Sequence, residues 1–108
     1  MNYDYNGNLT FEERVGLITK DLMNYGLDKE LALKVASIEE PINDNNRYES
    51  EYKRLYNILR LSNDDRIKNK VISDMFNIYE EGRSKKIDSF ITDLKVYIEY
   101  NADLPELK

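Results

Sequence analysis

Apolar residues recur every three or four positions along most of the chain, which is the spacing of one face of an α-helix. The first such stripe begins at residues 10–13, a capping-box sequence in which the Thr10 hydroxyl and the Glu13 carboxylate each accept a backbone N–H. Gly26 is placed to end this helix, because glycine readily adopts the left-handed conformation that closes helices. The predicted inner face consists of Phe11, Val15, Ile18, Leu22 and Tyr25.

Two further helices follow from the same spacing. Asp28 is placed to cap the second helix, and Pro41 to stop it, because a residue before proline is driven away from helical angles. A loop is expected over residues 39–46, and a third helix from about Arg47 to Leu61. The inner face of the second helix is predicted to carry Leu31, Ala32, Val35 and Ile38.

The last part of the chain allows two helical arrangements. In the first, Ser62 and the acids after it start a fourth helix, Gly82 ends it, and Ser84 caps a fifth. In the second, one long bent helix runs from Asn63 to about Tyr100, because the apolar stripe stays in phase through Gly82 and an interior glycine costs only about 1 kcal/mol.

No segment alternates with the period of two that a β-strand requires. The sequence therefore predicts an all-α fold, a compact bundle or orthogonal array of four to five helices. We expect residues 1–108 to form a single helical domain with frayed tails at about 1–8 and 102–108. Its predicted core is the set of central apolar residues Ile18, Leu22, Leu55, Leu59, Val71, Met75, Phe90 and Leu94.

The composition excludes several kinds of chemistry. The chain has no cysteine and no histidine, so disulfides, thiolate nucleophiles, histidine relays and histidine metal sites are all absent. Its four glycines are isolated, which excludes a phosphate-binding loop. We therefore expect no enzyme activity, no metal and no cofactor. No apolar run reaches the roughly 20 residues of a membrane span, and we expect a cytoplasmic protein without membrane insertion.

Charge and codon usage point to a setting and a kind of partner. The net charge is −5, and residues 1–46 hold nine acids against four bases. This balance disfavours direct binding to nucleic acid and favours a protein partner with a basic surface. Twelve asparagines and no glutamine are typical of A/T-rich codons, and we infer a low-GC bacterium or a phage or mobile element within one.

The segment 24–32 resembles two known helical corners. It is similar to the loop and second helix of ubiquitin-associated domains, and it also resembles a helix-turn-helix with Gly26 in the turn. The second resemblance implies an alternative function, a DNA-binding regulator. The residues at the start of this second helix carry no net positive charge, so phosphate contacts there are disfavoured.

Tyrosine supplies the main candidate for a partner surface. Three of the nine tyrosines follow one another at four-residue spacing in the third helix, between basic residues, and tyrosine and arginine are enriched at binding hot spots. The competing interpretation places these tyrosines at the edge of the core. The candidate partner-binding residues, including two acids expected to steer a basic partner, are Arg47, Tyr48, Tyr52, Lys53, Arg54, Tyr56, Arg60, Glu39 and Glu40.

These observations favour a non-catalytic protein-binding module. The leading hypothesis is an inhibitor or regulator of a bacterial enzyme or nuclease. The alternatives are a cytoplasmic immunity protein against a bacteriocin and the DNA-binding regulator described above.

Overall fold

Five α-helices make up almost all of the described chain. The computed structural model describes residues 9–39, 47–81 and 85–100, apart from the side chains of Arg47 and of residues 85–90. None of these residues lies in a β-strand, which confirms the all-α prediction. The helices are α1 (Phe11–Tyr25), α2 (Lys29–Ile38), α3 (Arg47–Leu61), α4 (Asp65–Glu81) and α5 (Lys85–Tyr100). The predicted tails at 1–8 and 102–108 lie outside the described residues.

The turn between α1 and α2 is built as the sequence predicts. At the start of α1, the Thr10 hydroxyl accepts the Glu13 N–H at 3.2 Å, and the Glu13 carboxylate accepts the Thr10 N–H at 3.2 Å. At its end, Gly26 has a φ of 128° and donates its N–H to the carbonyls of the last turn. The Asp28 carboxylate then accepts the Leu31 N–H at 2.8 Å and starts α2.

The remaining helix ends also follow local signals. Helix α2 ends at Ile38, and Glu39 is already extended, two residues ahead of Pro41. Before α4, the Ser62 hydroxyl accepts the Asp64 N–H at 3.1 Å, and the Asp64 carboxylate accepts the Arg66 N–H at 2.9 Å. The structure describes helices α4 and α5 on either side of residues 82–84, which is where the two predicted arrangements differ. Residues 82–84, which include both Gly82 and Ser84, lie outside the described chain.

Helix α3 occupies the centre of the packing. Helix α1 packs on α2, α2 on α3, α3 on α4, and α5 on both α3 and α4. Because α3 has neighbours on more than one side, most of its residues from 52 to 59 are buried. The buried side chains of α3 are Tyr52, Arg54, Leu55, Tyr56, Ile58 and Leu59.

The core agrees closely with the predicted set. Seven of the eight predicted core residues are buried, and the side chain of the eighth, Phe90, lies outside the described part. Two residues predicted on inner faces are instead exposed. Phe11 sits in the first turn of α1 and is 57% exposed, and Ile38 sits in the last turn of α2 and is 50% exposed. A residue at a helix end has packing partners on one side only, so the apolar spacing alone overstates its burial.

Candidate functional site

The tyrosine stripe of α3 is mostly core. Tyr52 and Tyr56 are fully buried, whereas Tyr48, one turn earlier, is 45% exposed. Burial raises the pKa of the Tyr52 phenol well above its ordinary value, with Tyr56 and Asp93 acting in the same direction. Burial also raises the pKa of Tyr56, again assisted by Asp93 and opposed by Arg60. The expectation that these three tyrosines form one exposed partner surface is therefore corrected, because α5 lies beside the middle of α3.

Arg54, the second part of that expected surface, forms a buried ion pair. Its Nε donates to Glu39 Oε2 at 2.7 Å, and its Nη2 donates to Glu39 Oε1. The Arg54 and Glu39 side chains are 0% and 7% exposed. Burial raises the pKa of Glu39, although the hydrogen bond and charge of Arg54 act to lower it. Glu39 is thus an internal partner of Arg54, which corrects its expected role as an exposed steering acid.

The other expected site residues are scattered. Lys53 forms an ion pair with Glu49 at 3.1 Å along α3. Arg60 lies at the C-terminal end of α3, where it lines a surface groove. Glu40 and the side chain of Arg47 lie outside the described residues. The structure therefore does not bring the described members of the expected set together into one surface.

A different surface feature lies between α2 and the end of α3. It is an open apolar groove of about 470 Å³, and we call it the α2–α3 groove. Two of its residues are large apolar side chains facing solvent, Leu33 at 40% and Ile38 at 50% exposed. The groove is lined by Leu33, Lys34, Ser37, Ile38, Arg60 and Leu61.

A second cleft of about 410 Å³ adjoins this groove, since Lys34 and Leu61 line both. It lies where the N-termini of α2 and α4 meet, and three carboxylates border it: Asp28, Glu30 and Asp64. Two of these carboxylates, Asp28 and Asp64, accept backbone N–H groups at the starts of α2 and α4. The α2–α3 groove is therefore apolar with two cations at its edge, and the adjoining cleft is bordered by three carboxylates and shares Lys34 with the groove.

A polar link holds one wall of the second cleft. The Tyr25 hydroxyl donates to Asp74 at 2.5 Å, and Lys70 Nζ donates to the Tyr25 carbonyl at 2.8 Å. The same ammonium lies 4.0 Å from the centroid of the Tyr25 ring. Helix α1 has no basic residue in its last turn, so Lys70 of α4 supplies the positive charge that stabilises this helix end. Gly26, the next residue, is thereby fixed beside Ile67.

Arg60 is the distinctive polar residue of the α2–α3 groove. Its Nε is buried and has no hydrogen-bond acceptor among the described residues. Buried donors in folded proteins almost always have a partner. Lys34, the other cation of the groove, is exposed and pairs with Glu30 at 3.7 Å along α2. The groove thus combines an apolar floor with two cationic side chains, while the Arg60 Nε itself is closed off from solvent.

The sequence analysis placed neither Leu33 nor Ile38 at a partner surface. Leu33 does not share the helical face of the predicted inner residues of α2, and this spacing indicates that its apolar side chain faces outward. Ile38 fits that face and gave no such indication.

The described residues contain no group of three or more side chains suited to hold a metal ion. No helix within the described ranges is long and apolar enough to cross a membrane. In comparisons with known proteins, the chain matches no family model, no curated protein and no solved structure.

Proposed function

We propose that this protein is a non-catalytic binding module that docks another protein in the α2–α3 groove. The observation that carries the proposal is the pair of exposed apolar side chains, Leu33 and Ile38, beside a groove of about 470 Å³. Fully burying a leucine or isoleucine contributes about 1.5–3 kcal/mol. Since each of these side chains is already about half buried, covering the pair is worth about 2 kcal/mol in total, which is a useful anchor for an interface.

Charge within the groove supports a protein partner over a nucleic acid. The α2–α3 groove has two cations, and the adjoining cleft is bordered by three carboxylates. Nucleic-acid binding relies on neutralising a run of phosphates, and a surface of this kind does not supply the cations. The corner around Gly26 has the connectivity of a helix-turn-helix. The exposed charges of Asp28, Lys29, Glu30 and Lys34 cancel, so the DNA-binding alternative has no support from this corner.

The proposed role is that of an inhibitor or regulator of a bacterial enzyme or nuclease, acting by stoichiometric binding rather than by turnover. The absence of histidine and cysteine from the sequence supports a binding role. The bacterial or phage setting rests on the excess of asparagine over glutamine. The expected basic partner surface retains support from the exposed acids outside the α2–α3 groove, among them Glu12, Glu13 and Asp65.

The test is capture from a low-GC Gram-positive lysate, with the tagged protein and three charged variants as baits. Leu33→Asp and Ile38→Asp place a charge in the groove, whereas Leu17→Asp places one at an equally exposed leucine of α1. A captured protein is identified, purified and titrated by calorimetry against each bait. We expect fixed stoichiometry, a Kd raised at least tenfold by either groove variant, and no change with Leu17→Asp.

The identity of the partner separates the related hypotheses. A nuclease, polymerase or other enzyme supports the regulator, and a membrane transporter component supports the immunity protein. If the groove variants bind as tightly as the unmodified protein, the groove is not the interface. The exposed end of α5, with Val96, Ile98 and Tyr100, is then the next surface to substitute.

A further inference from the structure

We propose that two copies of this chain form a dimer by exchanging α5, with α4 and α5 of each copy joined into one continuous helix. The surface that α5 covers is then covered by the same helix of the second copy. The inference is independent of the proposed function, because α5 does not line the α2–α3 groove. It is carried by the charges at the two facing helix ends and by the packing of α5 on α3.

The charges where α4 ends and α5 begins oppose both helix dipoles. Helix α4 ends in Glu80 and Glu81, which are exposed, and it has no basic residue in its last turn. Helix α5 begins with Lys85 and Lys86. A helix C-terminus favours cations and an N-terminus favours anions, so both ends have charges of the unfavourable sign. The local sequence therefore favours one helix that continues from α4 into α5.

A continuous helix removes these charges from helix ends. It also places Glu81 four residues before Lys85, which is the order and spacing of a stabilising ion pair along a helix. Of the three connecting residues, Gly82 is the one that opposes helix formation most. The apolar stripe keeps its spacing across the connection, interrupted only at Arg83, and comprises Ile72, Phe76, Tyr79, Ile87, Phe90, Leu94 and Tyr97.

Within a single copy, the packing of α5 requires this helix to fold back. Ile91 and Leu94 are buried, and Asp93 is close enough to Tyr52 and Tyr56 to add, after burial, to the raised pKa of both phenols. Both tyrosines lie beside the first and middle turns of α4, because a short connection makes α3 and α4 antiparallel neighbours. In a continuous helix, Asp93 would lie about 40 Å beyond the start of α4, out of reach of these tyrosines.

Exchange of α5 satisfies the local charges and the packing together. Each α4–α5 helix is continuous, and each α5 packs on α3 and α4 of the other copy as it does within the single chain. Because the exchange is symmetric, both surfaces that α5 covers are filled, and the assembly closes at two copies. The packing among α1 to α4 is kept, since α5 packs on α3 and α4 alone among the described helices.

The connection offers variants that act in opposite directions. Gly82→Ala favours the continuous helix and should lower the Kd of the dimer about tenfold or more, since each dimer has two such connections. Lys85→Pro is compatible with the first position of a separate α5 but breaks a helix that runs through it, and should abolish the dimer. Gly16→Ala is the matched control, because it makes the same change inside α1 and should leave the Kd unchanged.

Sedimentation equilibrium between about 10 µM and about 1 mM protein measures the association. The path of the chain is measured by the distance between spin labels at Asn69→Cys and Lys95→Cys, since the sequence has no cysteine and both positions are exposed. Labelled chains are refolded with an excess of unlabelled chains, so that the distance is within one chain. We expect about 40 Å in the Gly82→Ala dimer and a clearly shorter distance in the Lys85→Pro monomer.

Three results overturn the inference. One is a Gly82→Ala protein that stays monomeric at about 1 mM. The others are a dimer that survives Lys85→Pro and a dimer in which the label distance stays short. A side-by-side dimer of that kind is identified by its loss with Val96→Asp, on the exposed face of α5.

Circular dichroism establishes that each variant folds. If Lys85→Pro does not fold, insertion of Gly-Ser-Gly after Gly82 replaces it, because a longer connection lets α5 fold back without strain and should also abolish the dimer. Capture of a partner that depends on Leu33 and Ile38 tests the proposed function separately. The proposed function and the exchange of α5 can therefore fail independently.

Discussion

Arg54 of α3 and Glu39 at the end of α2 form a bidentate ion pair from which water is almost entirely excluded. The pair joins the end of α2 to the central helix. It also explains how an arginine comes to rank among the largest fully buried side chains of the protein.

Removing one member of this pair should be strongly destabilising. Arg54→Met leaves the Glu39 carboxylate buried without its cation, which we expect to lower the free energy of unfolding by about 3–5 kcal/mol. Lys53→Met is the matched control, because Lys53 pairs with Glu49 on the same helix with both side chains partly exposed. That change should cost less than about 1 kcal/mol. Urea denaturation followed by circular dichroism measures both stability losses. Similar losses for the two variants would contradict the claim that the buried pair matters more than the partly exposed one.

The raised pKa of Glu39 predicts how stability depends on pH. The folded protein binds a proton at Glu39 more tightly than the unfolded chain, whose carboxyl keeps the ordinary value of 4.5. This group therefore contributes stability below about pH 4.5. This contribution to stability is lost as the pH rises through the higher pKa that Glu39 has in the folded protein. Arg54 and Arg14 oppose the shift and Asp21 adds to it.

The free energy of unfolding is measured for the unmodified protein and for Glu39→Gln from about pH 7 to about pH 4, a range that includes the ordinary carboxyl pKa. The stability of the unmodified protein relative to the variant should increase as the pH falls. A relative decrease would show that Arg54 holds the folded carboxyl in its ionised form.

The two neighbouring tyrosines of α3 should respond differently to truncation. Tyr52 is fully buried, and Tyr52→Ala should destabilise the protein by about 3–5 kcal/mol, as large-to-small core changes do. Tyr48 is 45% exposed, and Tyr48→Ala should cost less than about 1 kcal/mol. Thermal melts of both variants test which tyrosine is buried. A small loss of stability with Tyr52→Ala would show that Tyr52 is not part of the core.

Replacing two glycines by alanine, one within α1 and one in the turn after it, should change stability in opposite directions. Gly26 has a φ of 128°, and an added Cβ would lie 3.1 Å from Ile67 Cδ1, so Gly26→Ala should destabilise by about 1–3 kcal/mol. Gly16 lies within α1 with nothing within 4 Å of an added Cβ. Gly16→Ala should stabilise by about 0.5–1 kcal/mol. Denaturation curves of both variants measure these changes. If both substitutions change the free energy of unfolding in the same direction, the turn geometry at Gly26 is wrong.

The sequence predicts the helices well because their ends are encoded locally. The Thr10 capping box, Gly26 and Asp28 each act through backbone groups within four residues, and the structure has all three in place. Burial is harder to predict, since it depends on which neighbours a helix has. The spacing of Tyr52 and Tyr56 is the same whether they face solvent or α5, and only the three-dimensional packing decides between the two.

The candidate site was harder to predict for a related reason. Glu39 and Arg54 are 15 residues apart, and nothing in the local pattern of either residue indicates their partner. The α2–α3 groove arises where the end of α3 leaves part of α2 uncovered. Such a surface is a property of two helices in contact. The position of Leu33 off the inner stripe indicates that this residue faces outward, but it does not indicate that a groove lies beside it.

The order of packing described above also bears on how fast the chain folds. Four of the five closely packed helix pairs in the described chain are neighbours in sequence. The contacts between more distant helices are the packing of α5 on α3 and the polar link from Tyr25 of α1 to Lys70 and Asp74 of α4. Chains dominated by local contacts close short loops early and fold within microseconds to milliseconds. We therefore expect refolding from urea to be complete within the dead time or the first milliseconds of stopped-flow mixing.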